Sequence, residues 1–138
     1  MSKTGAAEYL VCELNNGTSC PKAVCPNTAL NFICNIEAQQ LGHTTWLLPN
    51  GTCTKKQDSD RIAILQPKYG GCNPSSINQH GTCGPFTAQN LASSGCINSS
   101  LSVVATQKLN GTRIRCMNYN GSSYSPIGNA IIMVVGKL

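Results

Sequence analysis

Apolar side chains recur at every second position in several short stretches of this chain, and no stretch carries the spacing of an amphipathic helix. In LNFICNI (30–36), Leu30, Phe32, Cys34 and Ile36 fall in one row. SLSVVAT (100–106) sets Leu101 and Val103 on one face. GTRIRC (111–116) sets Thr112, Ile114 and Cys116 on one face and Arg113 and Arg115 on the other, because strand side chains alternate between faces. RIAILQ (61–66), with Ile62 and Ile64 in register, and TTWLL (44–48), around Trp46, read as two more short strands. AIIMVV (130–135) is apolar at every position, which suits a strand buried on both faces or one that awaits a partner.

Turn chemistry separates these runs. Asn50-Gly51, Asn110-Gly111 and Asn120-Gly121 suit tight reversals that need positive φ. Short strands punctuated in this way predict an all-β sandwich or barrel. Residues 67–98 break the rhythm: they are poor in apolar side chains and hold Cys72, Cys83 and Cys96, and they read as a long loop held down by bridges. Neither a repeat nor a linker interrupts the chain, so its 138 residues read as one domain, 1–138, with 67–98 as a Cys-rich insertion between the middle strands.

Composition then sets the compartment. Nine cysteines (12, 20, 25, 34, 53, 72, 83, 96 and 116) with no C-x-x-C pair favour disulfides over zinc or thioredoxin chemistry. Asn16, Asn50, Asn98, Asn110 and Asn120 each open an Asn-x-Ser/Thr triplet, the acceptor pattern for N-glycosylation. Together these features predict an extracellular chain, secreted or displayed at a cell surface. The opening MSKTGAAEYL lacks the apolar stretch of a signal peptide, so a mature fragment restarted with an added methionine is expected. The longest apolar run is too short to cross a bilayer, and any membrane attachment is expected from a parent segment beyond this sequence.

Charge is sparse, 11% of residues, with a net +5. All five acids (Glu8, Glu13, Glu37, Asp58 and Asp60) precede residue 61, and every charge after Asp60 is basic. Nucleic-acid binding would want clustered Lys and Arg with aromatic stacking partners, and this chain has few aromatics. His43 and His80 lie in no catalytic pattern, and Asp58 and Asp60 in KKQDSDR read as a solvated loop. That DSD lacks the glycine turn and distal glutamate of a calcium loop. The reading is a non-enzyme with no cofactor and no metal.

Cys34, Trp46 twelve residues later and Cys116 on a late strand together resemble the signature of the immunoglobulin superfamily. The likeness extends along the chain. VCPNTALNFIC, SSLSVVATQKLNGTRIRC and NAIIMVVG are similar to the entry and the late strands of Ig-like modules in cell-surface proteins of early-branching animals such as sponges. The resemblance implies an immunoglobulin-like antiparallel β-sandwich, with strands B, C, E, F and G over 29–37, 43–48, 100–106, 111–118 and 128–136. It implies a Cys34–Cys116 bridge through the core. The other cysteines are extra to that plan: Cys12 or Cys20 is expected with Cys25, and Cys53 with Cys72, Cys83 or Cys96. Ile114 stands where the family usually has tyrosine, and Asn110 where aspartate is common.

On that fold Arg113, Arg115 and Met117 point outward on the G-F-C face, as do Ile131, Met133 and Val135 of the last strand. A soluble outer face is one use of the arginines. A binding face is the other. The expected function is recognition or adhesion at a cell surface, with a protein partner, a second copy included. The alternative is a secreted, lectin-like or immune-type binder of acidic glycans, for which paired guanidiniums suit bidentate contacts.

Overall fold

The structure, a computed structural model, describes residues 10–35, 43–49, 51–53, 61–65, 80–90, 98–119 and 124–136. Among the described residues nine strands follow in order: β1 (Leu10–Leu14), β2 (Ala29–Asn35), β3 (His43–Leu47), β4 (Arg61–Leu65), β5 (His80–Cys83), β6 (Phe86–Asn90), β7 (Asn98–Val104), β8 (Thr112–Tyr119) and β9 (Tyr124–Ile132). They form two antiparallel sheets, ordered β1-β2-β7-β6-β5 and β4-β3-β8-β9. The apolar rows of the two sheets meet in one core. Leu30, Phe32, Cys34, Phe86, Ala88, Leu101 and Val103 come from the first sheet, and Trp46, Ile114, Cys116 and Ile132 from the second. The molecule is an all-β sandwich.

Alternation decides which side each residue takes. Leu101 and Val103 are buried while Val104 is exposed, and Ile114 and Cys116 are buried while Arg113 and Arg115 are exposed. Ile132 and Val134 are buried while Ile131, Met133 and Val135 stand 47%, 43% and 40% exposed. The apolar tail is therefore buried on one face only, and its other face is open.

Two features lie where the pattern predicts no strand. β1 pairs with β2 through a row of Leu10, Cys12 and Leu14, in which a half-cystine serves as the apolar member. The expected 67–98 loop is not all loop. Residues 80–90 form a hairpin whose second strand pairs with β7, which itself begins at Asn98. The buried row there is Cys83, Phe86 and Ala88, one half-cystine, one aromatic ring and one methyl group, which a search for alternating bulky aliphatics passes over. His80 accordingly opens a strand instead of sitting in a loop. The last strand runs over 124–132, earlier than the expected 128–136.

The chain before β2 contributes to both sheets. After β1 it reverses, with the Gly17 N–H donating to the Leu14 carbonyl (2.9 Å) and the Cys20 N–H to the Cys12 carbonyl (3.0 Å). It then crosses to the second sheet, where Val24 forms a parallel bridge to Val134. The Val24 N–H donates to the Met133 carbonyl (2.9 Å), and the Val135 N–H donates to the Val24 carbonyl (2.7 Å).

This path corrects one pairing. Cys12 bonds Cys20, with Cα atoms 5.4 Å apart, and Cys25 is an exposed free thiol. The reversal brings Cys20 back beside Cys12, whereas the crossing through Val24 carries Cys25 away. Cys53 bonds Cys83, tying the segment after β3 to the end of β5. Cys72 and Cys96 lie outside the described residues.

Gly84 makes the β5–β6 reversal possible. It has φ +59°, and a Cβ there would lie 2.5 Å from the Thr52 carbonyl oxygen. Left-handed strain and a backbone clash therefore coincide at one position. Gly84→Ala is expected to cost about 2–4 kcal/mol, read as a lowered urea midpoint with unchanged slope.

Candidate functional site

The outer face of the four-stranded sheet is built in rows by the strand register. Leu47, Arg115 and Asn129 form one row across β3, β8 and β9. Arg113 stands directly opposite Ile131 in the next row. The two arginines, two residues apart on one strand, are about 6.8 Å apart at their Cα atoms. Both are exposed, and exposed Met133 continues the apolar side of the face beyond Ile131.

Met117 sits less openly than its neighbours. It shares a row with buried Thr45 and with Pro126, and it is half-buried. Beside it the register slips. Cys116 opposes Gly128 while Met117 opposes Pro126, which leaves Ile127 as an extra residue on β9. The slip opens a hollow of about 270 Å³ lined by Arg115, Met117, Pro126, Ile127 and Asn129. Pro and Gly within a strand are the sequence signal for such a bulge, and Ser125-Pro126-Ile127-Gly128 carries both, but the expected last strand begins only at 128 and misses the bulge.

Among the described residues the charges of this face are of one sign. Glu13, the only side-chain carboxylate among the described residues, lies on β1 of the other sheet. The outer face of that other sheet is more neutral. Glu13, Asn31, Ser102 and Thr87 cross it in one row, one carboxylate followed by three uncharged polar groups, with the Ser102 hydroxyl donating to Asn31 Oδ1 at 2.7 Å.

What holds the arginines outward is the core behind them. Cys34 of β2 and Cys116 of β8 are joined between the sheets, their Cα atoms 6.4 Å apart. Trp46 lies opposite Cys116 in register and is fully buried. Its indole N–H donates to Ser99 Oγ (3.0 Å), and the Ser99 hydroxyl donates on to the Gln89 carbonyl (3.2 Å). A buried Trp N–H needs such an acceptor. Reading apolar rows alone misses Ser99, which is fully buried.

The three acceptor triplets whose asparagine is described fall at strand ends. Asn16 lies in the turn after β1, where its Oδ1 accepts from the Thr18 N–H (3.0 Å) and hydroxyl (2.6 Å). Asn110 follows the short 3-10 helix Gln107–Leu109, and its Oδ1 accepts from the Val134 N–H at 2.8 Å. Gly111, at φ +82°, completes that reversal. Asn98 opens β7 opposite Asn35, at the other end of the sandwich. Asn50 and Asn120 lie outside the described residues, as do Asp58 and Asp60. At the Asn110 end, Pro49, Thr52, Pro85, Thr106, Leu109 and Thr112 line a cleft of about 630 Å³.

Among the described residues, no group of three or more His, Cys, Asp or Glu is placed to hold a metal. No helix among them is long and apolar enough to cross a membrane. The chain matches no model of a known protein family and no curated protein.

Proposed function

We propose that this chain is an immunoglobulin-like recognition or adhesion module of an extracellular or cell-surface glycoprotein, without enzymatic activity. It binds a protein partner, a second copy included, through the outer face of β3, β8 and β9. The family reading draws support from the core bridge under Trp46 and from the N-terminal segment, which pairs with β2 and then bridges in parallel to Val134. Three disulfides among the described residues suit an oxidising compartment.

One observation carries the binding reading: exposed Arg113 stands directly beside exposed Ile131, with Met133 beyond. Arginine and large apolar side chains on one rigid sheet combine the two chemistries that dominate protein contacts. Sedimentation velocity at rising concentration tests it. Self-association is expected, and Arg113→Glu or Met133→Asp is expected to weaken it at least tenfold, about 1.4 kcal/mol. Variants that fold and associate like the parent would remove this face from the interaction.

A second reading rests on the hollow beside Arg115, where an anionic group would meet a guanidinium at the wall. There the module captures sialylated or sulfated glycans as a monomer. Retention on a sulfated-glycan column, lost in Arg115→Ala and at raised salt, would favour it over self-association.

A further inference from the structure

We propose that the cleft at the Asn110 end seats the innermost sugars of this chain's own N-glycan on Asn110, making that glycan part of the fold's end wall. The proposal rests on the glycosylated reading given above. The cleft's volume, about 630 Å³, is that of a small-ligand site. Its lining is amphipathic: Pro49, Pro85 and Leu109 supply apolar surface, Thr52, Thr106 and Thr112 supply hydroxyls, and Lys108 adds a hydrogen-bond-donating ammonium. An N-acetylhexosamine has the same character, with an apolar ring face and acetyl methyl beside hydroxyl groups.

The closing threonines of two acceptor triplets line this cleft. Thr112 closes the Asn110 triplet, Thr52 closes the Asn50 triplet, and both line it. Leu109, the neighbour of Asn110 on its other side, lines it too. The Asn110 amide is also held in one orientation, because its Oδ1 accepts the Val134 N–H. Its Nδ2 is therefore presented in a fixed direction from an exposed residue. In the modification, that nitrogen bonds to C1 of the first sugar of a lipid-linked donor. The lipid diphosphate leaves with the electron pair of its C1–O bond, and one amide proton is released.

Two variants separate the glycan from the hydrogen bond. Asn110→Asp removes the glycan yet keeps an acceptor for the Val134 N–H, and Thr112→Ser keeps both. With protein from a secretory eukaryotic host, peptide mass spectrometry is expected to find Asn110 occupied. Asn110→Asp is expected to lower Tm by about 3–6 °C and Thr112→Ser by far less. Endoglycosidase trimming to a single sugar should leave Tm near that of the parent. In protein made without N-glycosylation, Asn110→Asp should change Tm by less than about 1 °C. Nuclear Overhauser contacts from the acetyl methyl to Leu109 should be visible. An occupied Asn110 with no Tm difference and no such contacts overturns the seating while leaving glycosylation intact. An unoccupied Asn110 overturns the premise at this position and the proposal with it.

Discussion

Replacing Cys34 and Cys116 together by alanine is expected to cost about 4–5 kcal/mol of folding stability, from the loop-closure entropy the bridge removes from the unfolded chain. The bridge spans 82 residues, against 30 for Cys53–Cys83 and 8 for Cys12–Cys20. Because the cost rises with the logarithm of loop length, removing Cys12–Cys20 is expected to cost only about 2–3 kcal/mol. Domains of this size rest on about 5–15 kcal/mol in total, so the long bridge decides whether the sandwich persists at 37 °C. Urea unfolding of the double variant and of the parent measures this. A loss below about 1 kcal/mol would mean that the two thiols are not joined in the folded protein.

Trp46→Ala carries the second largest expected effect, about 3–5 kcal/mol, because it empties the centre of the core against the bridge. Trp46 is fully buried and shares its row with Cys116. Part of its effect runs through Ser99. Ser99→Ala alone leaves the indole N–H without its acceptor and is expected to cost about 1–3 kcal/mol. In a Trp46→Phe background the same Ser99→Ala change should cost less, since no indole N–H remains to be orphaned. The cycle, followed by circular dichroism during urea unfolding, gives the coupling energy. Equal costs in both backgrounds would mean that the Trp46–Ser99 contact adds nothing to stability.

The sandwich was legible where bulky apolar groups alternate. Leu30, Phe32 and Cys34, then Leu101 and Val103, then Ile114 and Cys116 all face the core as their spacing requires. The outward placement of Arg113 and Arg115 follows from that same alternation. Elements whose buried rows are made of small or sulfur-bearing groups were harder to read. Cys12 in β1 and Cys83 at the end of β5 count as apolar only once the thiols are bridged, and Ala88 offers too little surface to mark a row. The pairing of Cys12 with Cys20 depends on a reversal set by backbone hydrogen bonds, and spacing alone does not distinguish Cys20 from Cys25. Ser99 was illegible for a related reason: a serine is buried only where a distant donor, here the indole 53 residues away in sequence, supplies its partner. Of the candidate binding face, the arginine row was legible from alternation. The hollow beside Arg115 depends on a one-residue slip against Met117, which Pro126 and Gly128 mark.

Non-reducing digestion, with mass spectrometry of the bridged peptides, is the most direct measurement. The location of one covalent link sets which faces are core and which are open to a partner. A peptide containing Cys34 should be recovered joined to one containing Cys116, alongside Cys12–Cys20 and Cys53–Cys83. Recovery of Cys34 joined to any other cysteine would contradict the layering, and with it the outward face built on Arg113 and Arg115.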